Sequence, residues 1–226
     1  MAGIDDLARR IEAEAEREAF PIDLEVYARA GASPMVPVVC AGSLSAVVCF
    51  FGRDLGRQEV ERRQPLVGAG GRLIRSEVHR ALTGEPAPRS DRHVESVLEH
   101  VLLTNTVPYK PPGNKAYTDA VKERFRPFVL ELLRDHWTGD RLITLGTEAF
   151  EWFARYVQPG GEETARDFWS SEARYTGILS VHLPGGRSGR TIELAPLPHP
   201  SPLNRRWLPQ LPSLLERRVA GKFAKP

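Results

Sequence analysis

The sequence has few cysteines and no long apolar run, and each shortage excludes a class of protein. Its two cysteines, Cys40 and Cys49, are too few for a disulfide framework or for a cluster held by four thiolates. No stretch approaches the ~20 consecutive apolar residues of a membrane span, and the acidic, amphipathic segment 1–20 differs from a signal peptide. We therefore expect a cytoplasmic protein with reduced thiols and no membrane partner.

The composition is that of a globular protein. Of the 226 residues, 41% are hydrophobic, and charges of both signs nearly balance at a net +2. This length predicts one domain spanning residues 1–226, which we expect to be a monomer. The net charge neither requires nor excludes a nucleic-acid partner, because local clustering decides that question. Arginines do cluster, in segment 53–63 and at Arg205 and Arg206.

Short apolar runs alternate with helical patterns along the chain. Strands are predicted at 45–52, 100–105, 141–146 and, after a glycine-rich hairpin, 191–195. Helices are predicted at about 4–19, 116–137 and 147–156. Strands joined by helical crossovers favour an α/β fold, specifically a three-layer α/β/α sandwich around a mostly parallel four-stranded sheet.

Polar residues follow each predicted strand. In a parallel sheet these ends lie at one edge, where ligands bind. The segments concerned are Gly52–Asp54, Thr104–Asn105, Gly146–Thr147 and Pro198–Pro200. His199 lies between two prolines, whose fixed φ holds a loop in one conformation. A catalytic or binding histidine benefits from that rigidity.

Three other patterns carry less weight. The run "VGAGGRL" lacks the third glycine of a dinucleotide-binding loop, and no strand precedes it. His93 and His100 have no further ligand at a zinc-like spacing, so no metal site is predicted. Ser201 follows His199 too closely to be paired with it as a nucleophile, and no elbow motif is present.

Four segments that contain or follow the predicted strand ends form a combined pattern: "GRDLGRQEVERRQPLVGAGG", "LLTNTVPYKPPGN", "ITLGTEAF" and "PHPSPLN". Taken in order, they resemble the uracil-DNA glycosylase superfamily, most closely its family 4 enzymes. Two departures from the family 4 pattern bear on cofactor and catalysis. Tyr109 stands where family 4 has a cysteine ligand of its iron-sulfur cluster, so no cofactor is expected, and Tyr109 with Phe125 is predicted to fill that space. Arg53 replaces a glutamate, but Asp54 occupies the place of the aspartate in the G-Q-D-P-Y loop of family 1, which also has an H-P-S-P-L loop.

The resemblance implies a monofunctional DNA glycosylase that flips a base out of DNA and hydrolyses its N-glycosidic bond. Asp54 and His199 would be catalytic, with Asp54 orienting water and His199 donating a hydrogen bond to the departing base. The implied base-binding residues are Gly52, Arg53, Leu66 and Asn105. The implied DNA contacts are Ser201, Pro202, Leu203, Arg205 and Arg206, with Leu203 as the wedge and the two arginines on phosphates.

Several alternatives remain open from the sequence. Leu66 stands where family 4 has a stacking phenylalanine, which leaves room for hypoxanthine, xanthine or a bulky modified cytosine in place of uracil, the last with a role in defence against foreign DNA. A non-catalytic module that recognises an altered base is a third interpretation. Asp54 and Glu59 lie in the same loop, and either could position the water.

Overall fold

A computed structural model describes residues 2–113, 115–186, 189–201 and 204–223. It is a mixed α/β structure in which one twisted sheet lies between helices. The strands are β1 (Cys40–Gly42), β2 (Val48–Gly52), β3 (Val101–Asn105), β4 (Arg141–Thr144), β5 (Val157–Gln158), β6 (Leu179–Leu183) and β7 (Arg190–Leu194). The α-helices are α1 (Ala2–Arg17), α2 (Leu24–Arg29), α3 (Arg57–Arg62), α4 (Ala69–Thr83), α5 (Asp119–Glu131), α6 (Thr147–Glu151), α7 (Gly161–Ser170) and α8 (Leu211–Val219).

The sheet has the strand order β1-β3-β2-β4-β7-β6-β5. Its four central strands, β3, β2, β4 and β7, run parallel, as the sequence predicts. The prediction of four strands falls short, because β1 adds antiparallel to one side and β6 and β5 add antiparallel to the other. The short edge strands β1 and β5 have too few residues for a recognisable apolar alternation.

Helices cover both faces of the sheet, which confirms the three-layer architecture. Alternate side chains of β2 point to opposite faces, with Val48 and Phe50 in one core and Cys49 and Phe51 in the other. Helices α4 and α8 pack on the Phe50 side, and α5, α6 and α7 pack on the Phe51 side. Burial of both faces explains why the central strands are continuous apolar runs.

Several predicted boundaries shift. The first predicted strand begins at Val48 instead of residue 45, because residues 43–46 form a turn in which Ala46 N donates to Ser43 O at 3.1 Å. The helix predicted at 116–137 begins at Asp119 and widens into a π-helical turn at Leu132–His136. The helix predicted at 147–156 ends at Glu151, and a separate 3₁₀ turn covers Ala154–Tyr156.

The N-terminal helix completes a third apolar cluster. Leu7, Ile11 and Ala15 of α1 are buried, as their spacing predicts, against a cluster that contains Tyr109 and Phe125. The rings of Tyr109 and Phe125 lie 5.4 Å apart, and Tyr109 Oη donates to the carbonyl of Met35 at 2.8 Å. Tyr109 therefore packs with Phe125 as the sequence predicts. Among the described residues, no helix is long and apolar enough to cross a membrane.

Candidate active site

The carboxyl ends of the parallel strands surround one pocket. Gly52 at the end of β2 pairs with Asn105 at the end of β3, and Leu145 after β4 pairs with Leu197 after β7. The pocket has a volume of about 230 Å³. Its lining includes Gly52, Arg53, Asp54, Glu59, Leu66, Gly68, Asn105, Leu145, His199 and Pro200. The structure thus brings together the six residues predicted to be catalytic or base-binding.

Asp54 places a buried carboxylate in this pocket. Its side chain is 2% exposed, and Arg53 Nε lies 3.2 Å from its Oδ2 atom. Oδ1 accepts a hydrogen bond from Thr106 Oγ1 at 3.2 Å, whereas Oδ2 has no hydrogen-bond partner among the described residues. Burial raises the pKa of Asp54, and the Arg53 charge opposes that rise. Oδ2 is therefore paired with the Arg53 charge without a hydrogen bond, and a carboxylate in this setting can accept a proton from water.

Thr106 holds the loop that carries Asp54. Its amide donates to Arg53 O at 2.8 Å, and its single hydroxyl proton is shared between that carbonyl, at 2.6 Å, and Asp54 Oδ1, at 3.2 Å. Thr106 is fully buried. Sequence reasoning missed this residue, because a threonine after a strand has no distinctive signature. Only its position directly after Asn105, in the T-N-T run, could have pointed to it.

Asn105 presents an unpartnered acceptor to the pocket. The residue is 4% exposed, and its Oδ1 atom has no hydrogen-bond partner among the described residues. Such an orphaned buried acceptor is costly unless a ligand supplies a donor. A Cβ atom on Gly52 would lie 2.8 Å from Asn105 Nδ2, so only glycine fits beside this amide.

His199 sits in a braced loop on the opposite wall. Ser201 N and Asn204 Nδ2 both donate to His199 O, at 2.8 Å and 3.2 Å. Gly146, with φ of +89°, leaves space for the ring, because a Cβ there would lie 2.9 Å from His199 Cβ. The His199 side chain is exposed at the pocket, yet desolvation and then the Arg53 charge lower its pKa. The neutral ring is thereby favoured near pH 7.

Glu59 has a different environment from Asp54. Its Oε1 atom accepts hydrogen bonds from Val67 N at 3.2 Å and Gly68 N at 2.8 Å. Gly68 caps the N-terminus of α4, where the helix dipole also favours a carboxylate. Glu59 therefore fastens the loop that carries Leu66 to α3. This geometry favours Asp54 over Glu59 as the group that positions water.

The predicted DNA-contacting segment lies only partly within the described residues. Pro202 and Leu203 fall outside them. Ser201 is half-buried beside the histidine loop, whereas Arg205 and Arg206 are exposed in the turn that follows. The guanidinium of Arg206 lies 5.0 Å from the centre of the Trp207 ring. Both arginines are accessible to a phosphate.

The cysteines do not suit an iron-sulfur cluster. Cys49 is fully buried in the sheet, and Cys40 lies half-buried in β1. Burial raises the pKa of both thiols, which disfavours the thiolate form that such clusters bind. Across the described ranges, no group of three or more His, Cys, Asp or Glu residues could hold a metal ion.

The architecture and the strand-end pocket can be compared with known families. Residues 41–220 match the family model described as the uracil DNA glycosylase superfamily. The chain belongs to this superfamily. Membership supports a DNA glycosylase-type function in base-excision repair, with DNA as the partner. No curated protein matches the chain. The four segments that resemble the superfamily in sequence all fall within the matched range.

Proposed function

We propose that this superfamily member is a monofunctional DNA glycosylase that excises uracil and leaves an abasic site. One observation carries the proposal: the buried carboxylate of Asp54, the His199 ring and the unpartnered oxygen of Asn105 line the same pocket. N-glycosidic cleavage needs these three kinds of group. A carboxylate stabilises the positive charge on the sugar, and a hydrogen-bond donor stabilises the negative charge on the departing base. An amide binds the pairing edge of the base.

Asp54 would act on the sugar side of the bond. Cleavage passes through an oxocarbenium-like sugar, positive at C1′, and a carboxylate beneath it stabilises that charge. Its Oδ2 atom has no hydrogen-bond partner in the described structure and lies 3.2 Å from Arg53 Nε, and the carboxylate would orient a water for attack on C1′. The water oxygen bonds to C1′ as the glycosidic bond breaks, and its proton passes to the carboxylate.

His199 and Asn105 would act on the base. The base leaves with negative charge on its O2 side, and a neutral imidazole N–H can donate a hydrogen bond to that oxygen. The lowered pKa of His199 suits this neutral role. Asn105 Oδ1 accepts from an N–H on the pairing edge, as uracil N3–H provides. The base reaches this pocket only after it is flipped out of the duplex.

Leu66 supports a second candidate substrate. Leucine offers less stacking area than an aromatic ring, so a larger or modified base such as hypoxanthine, xanthine or a bulky modified cytosine is the alternative. The chemistry of Asp54 and His199 would be unchanged with such a base. The biological role would then be defence against foreign DNA.

The proposal is tested by mass-spectrometric detection of bases released from oligonucleotides that carry uracil, hypoxanthine, xanthine or a bulky modified cytosine. We expect the wild type to release uracil and His199→Ala to be ~10²–10³-fold slower, since one preorganised donor is lost. His100→Ala is the matched control, because His100 is exposed and does not line the pocket. Release of a larger base alone would replace uracil as the substrate. Release of no base would contradict catalysis and favour a DNA-binding module.

A further inference from the structure

Arg75 is a buried cation beside the proposed base pocket. Its side chain, on α4, is 1% exposed. No salt bridge to a carboxylate is formed by Arg75 within the described part of the chain, and burial lowers its pKa to about 10. A desolvated guanidinium needs other partners to offset the cost of burial. Arg75 finds them in main-chain oxygens.

The guanidinium binds the segment that leads into the pocket. Arg75 Nη2 donates to Pro65 O at 2.9 Å, and Nε donates to Leu66 O at 2.9 Å. Nη1 donates to His93 O at 3.3 Å, and the longer contacts to Gln64 Oε1 measure 3.4 Å. Two consecutive carbonyls of one loop are therefore held by one rigid fork.

The loop needs such a clamp because its backbone is strained. Leu66 has φ of +53°, a left-handed conformation that costs a branched side chain free energy. Helix α4 also passes against this backbone: a Cβ on Gly71 would lie 2.0 Å from the carbonyl carbon of Leu66. Strained conformations persist only where surrounding structure determines them, and Arg75 provides two of the fixing contacts.

The strained residue forms a wall of the pocket. Leu66 Cδ2 lies 3.1 Å from the place that a Cβ on Gly52 would occupy, and both residues line the pocket beside Asn105. We infer that Arg75 is a positioning residue, which fixes the Leu66 backbone and thereby determines which base the pocket accepts. The statement about the base rests on the proposed glycosylase function. The statement about the Leu66 backbone does not.

The backbone part is tested by hydrogen exchange of the Val67 and Gly68 amides in wild type, Arg75→Lys and Arg75→Met. We expect exchange at these two amides to become about tenfold faster in Arg75→Met, because hydrogen bonds from a charged donor are lost. Exchange at Leu103 in β3 should change less, and Arg75→Lys should restore part of the protection. Equal acceleration at Leu103 would show that Arg75 serves global stability only and would overturn the inference.

Arg190→Met is the matched control. Arg190 also donates to main-chain carbonyls, those of Leu133, Trp137 and Gly139. It lies at the amino-terminal end of β7, whereas the pocket lies at the carboxyl ends of the parallel strands. Its loss should lower global stability and leave the Val67 and Gly68 amides as protected as the rest of the core. Selective exposure of those amides in Arg190→Met would contradict a specific role for Arg75.

The base part is tested by relative release rates for uracil and a larger base, measured well below the unfolding temperature. We expect Arg75→Met to change this ratio in the wild-type background and to change it no further in Leu66→Gly, which has no side chain to position and tolerates positive φ. An equal change of this rate ratio in both backgrounds would show that Arg75 does not act through Leu66 and would overturn the inference. If the wild type releases no base, the proposed function fails, and the exchange experiment alone decides whether Arg75 fixes the loop.

Discussion

The Asp54 side chain is 2% exposed, and one of its oxygens has no hydrogen-bond partner within the described residues. Glu59, five residues later, instead uses an oxygen to accept two backbone N–H groups. We predict that Asp54→Asn lowers single-turnover base release by ~10²–10⁴-fold, the usual effect of losing a general base. Glu59→Gln should retain most activity, because the amide oxygen can still accept both hydrogen bonds. Near-normal rates in Asp54→Asn with a loss in Glu59→Gln would reverse the assignment.

The same carboxylate has a predicted effect on stability. Burial raises the pKa of Asp54 in the folded protein, so the protonated side chain stabilises the fold at low pH. This contribution to the free energy of unfolding is lost as the pH rises through the folded pKa. An asparagine at this position does not ionise, so Asp54→Asn does not lose stability in this way. We expect the variant to unfold at a higher temperature than the wild type at pH 7, with the difference shrinking as pH falls toward the ordinary carboxyl range of ~4. Thermal unfolding across this pH range checks the prediction, and a less stable variant at pH 7 would contradict it.

Arg53 affects both of the proposed catalytic groups, Asp54 and His199. Its charge opposes protonation of Asp54 and lowers the pKa of His199. In Arg53→Gln both pKa values should rise, so the acidic limb of the rate-pH profile should move to higher pH. Arg57→Gln is the matched control, since Arg57 is exposed and pairs with Glu61. An unshifted limb with a uniformly lower rate would show that Arg53 acts only in binding.

At the scale of elements, the turn between β4 and α6 determines where the His199 ring can lie. Gly146 has φ of +89°, and a Cβ there would lie 2.9 Å from His199 Cβ. Gly84 shares the positive φ, at +77°, but has open space around it. We predict that alanine destabilises the fold by ~1–2 kcal/mol at Gly84, which is left-handed helical, and by more at Gly146, whose ψ of 176° is open essentially only to glycine. Only Gly146→Ala should slow base release, by up to ~10²-fold, because it displaces His199, a proposed catalytic group.

Urea denaturation and single-turnover assays of the two glycine variants provide the measurement. Equal loss of base release in Gly84→Ala would mean that strain, and not contact with His199, causes the effect.

The central strands could be predicted from the sequence, whereas the hydrogen bonds that hold the loops around the site could not. The strand ends at Gly52 and Asn105 follow from apolar runs that end in glycine or asparagine. The hydrogen bonds of Thr106 and Arg75 join residues whose contacts depend on how loops fold back in three dimensions. No periodicity in the sequence encodes such contacts, so neither Thr106 nor Arg75 was among the predicted site residues.

At the scale of the whole molecule, the net charge of +2 gives little general attraction for DNA. Binding must then depend on a few local contacts. We predict that the double variant Arg205→Gln, Arg206→Gln makes the plot of log affinity against log salt concentration less steep, by about 2 in slope. Each lost phosphate contact accounts for about 0.9 of that change. Fluorescence anisotropy with duplex DNA at several salt concentrations measures it. Arg9→Gln with Arg29→Gln removes the same charge from exposed sites on α1 and α2, and an equal change there would contradict a local contact.

The order of strands in the sheet has a consequence for synthesis of the protein. Asp54 follows β2, Asn105 ends β3 and Gly146 follows β4, whereas His199 comes only after the β6-β7 hairpin. A growing chain on the ribosome therefore contains the carboxylate and the asparagine long before it contains the histidine. The pocket can form only after the ribosome has translated the chain past β7, so a truncated product that ends before β7 lacks His199 and cannot carry out the proposed chemistry.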